Sequence, residues 1–167
     1  KSFSNIAYVK YDMSTGKSYD ETIIPIPHKT ISSPIALDYN SATININNES
    51  YLISSYTIDE DEDLQTGDDR ELYLQIQNLT TGQAYFPIQI TNDSISNSLP
   101  KLTNINGELY LTWLDNGYMF KIMNLSDMLS SMFNADSNGD MTDLINADTI
   151  NSAYKNGEMT DDNKNAD

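Results

Sequence analysis

The sequence predicts an all-β fold of repeated antiparallel four-stranded meanders, followed by a short helical, acidic C-terminal segment. Short runs of alternating polar and apolar residues fill much of residues 1–126, and Asn-Gly and Thr-Gly pairs separate many of these runs. Similar segments also recur 66 positions apart, the distance from Gly16 to Gly82. We therefore predict β-meander repeats over 1–126 and a helix-loop-helix with a polar tail over 127–167.

The clearest meander lies in residues 98–125, where three strands are expected around 100–102, 108–114 and 118–125. Asn106-Gly107 joins the first two strands, and Gly117 ends the turn between the second and third. Both turns are strong hairpin signals, because Asn and Gly accept the positive φ of tight turns. Alternation places three large apolar side chains on one face of the middle strand: Leu109, Leu111 and Trp113.

Earlier segments are also expected to be extended. Residues 5–13 alternate and end at a turn containing Gly16, and residues 22–27 form a second run whose two prolines favour an edge strand. Residues 56–71 contain five consecutive acids, at positions 59–63. Because adjacent carboxylates repel one another, we expect a solvated loop there, with cation binding as an alternative.

The internal similarity suggests that one unit contains four strands. Residues 72–83 resemble residues 6–17 at a spacing of 66, and the same spacing places Pro34 over Pro100. Residues 47–54 resemble residues 105–112, and residues 76–80 resemble 122–126. The spacing predicts that Gly16 and Gly82, and likewise Pro34 and Pro100, occupy equivalent places in successive copies of one folded unit.

A strand led by Pro100, the Asn106-Gly107 turn and the Leu-Tyr-Leu-Thr-Trp strand at 109–113 together resemble repeats of bacterial extracellular β-propellers of the sialidase-like kind. The resemblance covers about residues 5–125, as parts of three blades. It implies propeller-like blades in an incomplete ring and a secreted or cell-surface bacterial protein, with a β-sandwich as the alternative fold. The Ser-x-Asp-x-Gly-x-x-Trp box of true sialidases is missing from the sequence, so sialidase activity is not expected.

Charge and composition narrow the classes of partner. The formal net charge is −16, which repels nucleic-acid phosphates and anionic lipid surfaces, so neither is an expected partner. No apolar run is long enough for a membrane helix, and membrane insertion is not expected. The sequence contains no cysteine, which excludes disulfides and thiolate metal sites.

The C-terminal region has helical spacing. Asp127 is a candidate N-cap for a helix with apolar residues at 128, 129, 132 and 133, and a second pattern covers 144–154. The intervening loop resembles a calcium-binding loop, with candidate oxygen ligands at Asn134, Asp136, Asn138 and Asp140. Its first ligand is Asn and its twelfth position is Ile145, so an Asx-rich solvated linker is expected, with weak Ca²⁺ binding as the alternative.

Aromatic residues supply the candidate ligand site. Tyr110, Trp113 and Tyr118 could form a platform for sugar rings or a protein, because tyrosine and tryptophan combine an apolar face with a polar tip. The alternative is that these rings pack between sheets, with Trp113 the first candidate for the core.

The favoured function is a non-catalytic binding or scaffolding module whose ligand is a glycan or a protein. The sequence holds one histidine and no evident catalytic triad, so no catalytic residue is assigned. The alternatives are a fragment of an extracellular glycoside hydrolase-like propeller, with its catalytic residues elsewhere, and a structural spacer.

Overall fold

The structure is a computed structural model of the chain that describes residues 6–19, 21–24, 35–59, 63, 65–66, 69–85 and 87–135. These residues are mostly β, with antiparallel sheets and one short helix. The elements, in chain order, are β1 (Ile6–Tyr8), β2 (Tyr11–Asp12), β3 (Lys17–Ser18), β4 (Thr22–Ile24), β5 (Ile35–Ile46), β6 (Glu49–Asp59), β7 (Arg70–Asn78), β8 (Ile88–Gln89), β9 (Asn97–Ile105), β10 (Glu108–Asp115), β11 (Met119–Asn124) and α1 (Ser126–Ala135).

The strands fall into three units. Unit 1 contains the β1–β4 and β2–β3 pairs, unit 2 is the sheet β5-β6-β7-β8, and unit 3 is the sheet β9-β10-β11. Every pairing within these sheets is antiparallel. The predicted three-stranded meander and the predicted four-stranded unit are therefore confirmed. No closed ring of sheets is found in the described part of the chain.

Two hairpin turns share one backbone conformation. Asn47 and Asn48 join β5 to β6 with φ of 52° and 65°, and Asn106 and Gly107 join β9 to β10 with φ of 54° and 92°. Two consecutive positive φ values characterise the type I′ turn, whose twist matches that of the strands it joins. The similarity between the segments at 47 and 106 thus corresponds to the same turn.

The 66-residue repeat also corresponds to repeated hydrogen bonds. The Asn78 side-chain oxygen accepts the Thr80 N–H at 2.8 Å, and the Gly82 N–H donates to the Asn78 carbonyl at 2.9 Å. At Asp12 the same two bonds come from the Ser14 N–H and the Gly16 N–H, both at 2.8 Å. The predicted equivalence of Gly16 and Gly82 is confirmed.

The strand pairing also repeats at a spacing of 66 residues. In unit 1 Tyr8 pairs with Thr22, and in unit 2 Leu74 pairs with Ile88, so both partners are shifted by the same number of residues. Units 1 and 2 therefore end in equivalent hairpins.

Unit 3 follows the pattern up to its third strand. The Asn124 side-chain oxygen accepts the Ser126 N–H at 2.9 Å, as the Asn78 side chain accepts the Thr80 N–H. After this point unit 2 continues to β8, whereas unit 3 continues directly into α1. Within the described residues unit 3 thus has three strands where unit 2 has four.

The equivalence proposed for Pro34 and Pro100 is wrong. Pro100 lies in a bulge opposite Trp113, and the corresponding bulge of β5 contains Tyr39 opposite Tyr56. Between turn and bulge the β5–β6 hairpin has seven residue pairs and the β9–β10 hairpin has five, so spacing along the chain does not align the two bulges. Pro34 itself lies outside the described residues.

Each bulge begins with a residue other than glycine in the left-handed conformation. Asp38 has φ of 53° and Leu99 has φ of 51°, values that L-residues rarely adopt. The Leu99 N–H donates to Asp38 Oδ2 at 3.1 Å, and the Leu102 N–H donates to Asn40 Oδ1 at 2.8 Å. These bonds join unit 3 to unit 2.

Helix α1 closes one end of the core between units 2 and 3. Its buried side chains are Met128, Leu129 and Met132, as their spacing predicted, and the Phe133 ring lies 4.2 Å from that of Tyr51. The helix begins at Ser126, so Asp127 is not its N-cap but lies in its first turn. A carboxylate there still interacts favourably with the helix dipole.

The prediction of a solvated loop is wrong for Asp59, the first of the five consecutive acids. Asp59 ends β6 with its side chain fully buried, 3.2 Å from Arg70 Nε across the strand pair. An opposite charge compensates the loss of hydration that burial imposes on the carboxylate. Residues 60–62 lie outside the described residues.

Replacing Gly82 by Ala tests the repeated turn. A Cβ at Gly82 would meet no heavy atom within 4 Å, but φ is +81°, so the cost comes from the backbone alone. We expect Gly82→Ala to lower the free energy of unfolding in urea by about 1 kcal/mol. Gly82→Asn should cost less, because Asn tolerates this conformation better. An alanine variant as stable as the parent would contradict the left-handed turn.

The carboxyl of Asp12 should titrate far below the usual range. Hydrogen bonds from the side chains of Ser14 and Thr15 lower its pKa from 3.8 to about 2. The contribution to stability is present above the ordinary value and is lost as the pH falls toward about 2. NMR titration of the folded protein should give a midpoint near 2. Asp12→Asn keeps an acceptor without a charge and should weaken the pH dependence of unfolding in this window; a midpoint near 3.8 for Asp12 would contradict the turn geometry.

Candidate interaction surface

The alternation of side chains gives each sheet two different faces. The front face of unit 2 is buried and carries Tyr51, Ile53, Leu74 and Ile76. It belongs to one hydrophobic core with the back face of unit 3, which carries Leu109, Leu111, Trp113 and Met123. The front of one unit therefore packs against the back of the next.

Strand register relates the faces of the two units. Tyr51 pairs with Asn78 in unit 2, and Tyr110 pairs with Asn124 in unit 3, so the two tyrosines occupy equivalent positions. The same register places Phe120 at the position of Leu74 and Ile122 at that of Ile76. The face of unit 3 that corresponds to the buried front of unit 2 we call the open face: Tyr110, Thr112, Leu114, Phe120 and Ile122.

Equivalent positions on the two faces differ in exposure. Leu74 is 0% exposed and Phe120 is 68% exposed. Ile76 is fully buried, whereas Ile122 is only half-buried. The side chains of the open face thus have the apolar chemistry of a core face but lack a covering layer within the described residues.

β7 and β11, at equivalent positions in units 2 and 3, also differ in what pairs with their outer side. In unit 2 the carbonyls of Leu72 and Ile76 accept the N–H groups of Ile90 and Tyr85, on the side of β7 away from β6. No strand in the described ranges pairs with β11 on its corresponding side. An unpaired edge next to an exposed apolar side chain is suited to strand addition.

The three predicted ligand-binding aromatics do not form one platform. Trp113 is 2% exposed and packs in the core, so its predicted role as a surface ligand residue is wrong. Tyr110 is half-buried on the opposite face of β10, and Tyr118 is 73% exposed in the turn before β11. The physical reason is alternation, because residues 110 and 113 have opposite parity along one strand.

Tyr110 is held by a neighbouring carboxylate. Its hydroxyl donates to Glu108 Oε2, and this bond raises the pKa of the phenol. Unit 2 repeats the pair, since the Tyr51 hydroxyl donates to Glu49 Oε2 at 2.7 Å. There burial is the main cause of the raised pKa of Tyr51, and the bond to Glu49 adds to it. The same pair is therefore part-buried in unit 2 and exposed in unit 3.

Most of the predicted calcium loop lies outside the described residues. Asn134 is in the last turn of α1, and Asp136, Asn138 and Asp140 follow it beyond the described range. The part of the chain that the structure describes contains no group of three or more potential metal ligands among His, Cys, Asp and Glu. In the same part, no helix is long and apolar enough to cross a membrane.

The sequence patterns did not identify Phe120 and Ile122 as surface residues. A signal was present, because residues 122–126 resemble residues 76–80, and extending that alignment by two positions places Phe120 over Leu74. The exposure of Phe120 differs from that of Leu74 because it depends on what covers each sheet. No local sequence pattern encodes that covering layer.

No family model, curated protein or solved structure matches this chain.

Equivalent truncations in units 2 and 3 should have unequal effects. We expect Leu74→Ala to lower the free energy of unfolding by about 2–5 kcal/mol, because it leaves a cavity in the core. Phe120→Ala should change it by less than about 0.5 kcal/mol, because the ring is mostly in solvent. Urea unfolding of both variants at low protein concentration measures the difference. Similar losses would mean that the Phe120 ring is covered in solution.

Proposed function

We propose that this chain is a non-catalytic binding or scaffolding module that docks another protein on the open face of unit 3. The observation that carries the proposal is the register equivalence between this face and the buried front of unit 2. A surface built like a core face gains stability when an apolar layer covers it. Its exposed and half-buried apolar side chains, and an edge of β11 that no described strand pairs with, favour a protein over a glycan.

The front-to-back packing supports a propeller-like arrangement of units over a β-sandwich. In a sandwich of two related sheets, equivalent faces would meet at the centre. Here the front of unit 2 meets the back of unit 3, as in a series of blades in which each unit covers the preceding one. Among the described residues, no further sheet lies over the front of unit 3.

The proposal includes a secreted or cell-surface location, which rests on the resemblance to extracellular bacterial repeats. The high negative charge suits a soluble scaffold that does not adhere to nucleic acid or lipid. The aromatic platform for sugars loses support from the burial of Trp113.

Binding should depend on the open face. Partners captured on the immobilised chain from a bacterial extract are identified and purified, and their affinity is then measured by calorimetry. We expect Phe120→Glu to weaken binding by at least about 30-fold, because it places a charge at the centre of the apolar contact. Met13→Glu adds the same charge at a turn residue that is 86% exposed and should leave the affinity unchanged.

Two results would contradict this function. One is a purified partner that binds the Phe120→Glu variant as tightly as the parent. The other is specific recognition on a glycan array that does not change in this variant, which would move the ligand to the glycan class and to another surface.

A further inference from the structure

Two hairpin turns of unit 3 contain the pair Asn-Gly, at 106–107 and at 116–117. Both residues have positive φ in each turn, with 54° and 92° in the first and 53° and 75° in the second. All four residues are exposed. In an Asn-Gly pair the glycine nitrogen can attack the carboxamide of the asparagine side chain, because glycine has no Cβ to hinder the approach. The two turns therefore contain the same pair of reacting groups.

The two glycine nitrogens differ in their hydrogen bonds. The Gly107 N–H donates to Asn104 Oδ1 at 3.0 Å, whereas the Gly117 N–H has no acceptor in the described part of the chain. Attack requires rotation about ψ of the asparagine, and this rotation turns the following peptide plane together with its N–H. In the first turn the rotation breaks the bond to Asn104, and in the second it breaks no bond at the N–H. The reaction is therefore favoured at Asn116.

The departing nitrogen also has different neighbours in the two turns. Asn116 Nδ2 donates to the Tyr118 hydroxyl at 3.2 Å. At the corresponding position of the first turn is Glu108, whose carboxylate accepts the Tyr110 hydroxyl. When the carboxamide carbon becomes tetrahedral its nitrogen gains a lone pair, and the hydroxyl that accepted a bond from it can donate one. A donor within hydrogen-bond distance of a departing nitrogen can act as a general acid.

We propose that Asn116 is a site of self-modification, with the Gly117 nitrogen as the nucleophile and the Tyr118 hydroxyl as the general acid. The Gly117 nitrogen forms a bond to Cγ of Asn116 and loses its proton to solvent. The bond from Cγ to Nδ2 breaks, and the nitrogen takes the Tyr118 proton and leaves as ammonia. The phenolate regains a proton from solvent. The cyclic imide that remains takes up one water molecule at either carbonyl and opens to aspartate or to isoaspartate.

The products differ from the parent chain in charge and in backbone length. Both add one negative charge to a chain of formal charge −16, and isoaspartate also adds one methylene to the backbone of the turn. The Asn116 N–H donates to the Ser96 carbonyl at 2.8 Å, so the altered residue lies where the turn is bonded to the segment before β9. The reaction needs no partner and is independent of the proposed binding.

Peptide mapping of the incubated protein tests the inference. Trypsin releases residues 102–121 as one peptide that contains both Asn106 and Asn116, so mass spectrometry compares the two sites within one sample. The Asn-Gly pairs at 138 and 156 lie outside the described residues and fall on other peptides. In the folded protein we expect Asn116 to convert at least about 5-fold faster than Asn106, which is the effect of one net hydrogen bond. In urea, where neither turn persists, the two rates should become similar.

Two variants test the two structural causes separately. Asn104→Ala removes the acceptor of the Gly107 N–H and should raise the rate at Asn106 by about 5-fold, without changing the rate at Asn116. Tyr118→Phe keeps the ring and removes the hydroxyl, and should slow Asn116 by about 5-fold without changing Asn106, because one hydrogen bond to the departing nitrogen is lost. Circular dichroism with thermal unfolding verifies that both variants fold.

The control for loss of a phenol is Tyr110→Phe. It removes a hydroxyl that is bonded to Glu108 and should leave the rate at Asn116 unchanged. A folded parent in which Asn106 converts as fast as Asn116 would overturn the inference. A Tyr118→Phe variant that converts at the parental rate would overturn the role of the hydroxyl as the acid.

Discussion

The packing of the front of unit 2 on the back of unit 3 is the contact on which the described fold depends. It places Leu74 and Ile76 against a layer that includes Leu111 and Trp113, and it brings in helix α1 through the ring of Phe133. Burial of apolar area is in general the dominant favourable contribution to folding. Polar bonds from β5 to β9 fix how the two sheets meet, so the contact is specific as well as apolar.

A second constraint is the polar residue that ends β2 in unit 1, β7 in unit 2 and β11 in unit 3. Asp12, Asn78 and Asn124 all use a side-chain oxygen to accept the N–H two residues later. This bond reverses the chain in units 1 and 2 and precedes a helix in unit 3. One local motif is thus compatible with two continuations, and the residues after it decide between strand and helix.

Local patterns predicted the features that have local causes. The Asn106-Gly107 turn, the alternation on β10 and the helical spacing after Asp127 each reflect steric rules that act within a few residues. The burial of Asp59 depends on its ion pair with Arg70, on the far side of a loop. The exposure of Phe120 depends on whether another sheet covers it. The alignment of Pro34 with Pro100 failed because the β5–β6 hairpin has more residue pairs between turn and bulge than the β9–β10 hairpin, so a fixed spacing along the chain does not align the bulges. The ligand platform failed for a simpler reason, since alternation alone separates Tyr110 from Trp113.

The contact between Leu99 and Asp38 has a further consequence for how the two sheets tolerate change. Both residues hold unfavourable backbone conformations, and the amide of Leu99 is bonded to the carboxylate of Asp38 in the neighbouring sheet. Each strained position is stabilised in part by the other, so a change at one alters the cost of a change at the other. Because the two residues are in direct contact, we expect substitutions at 38 and 99 to combine non-additively across the boundary between the sheets.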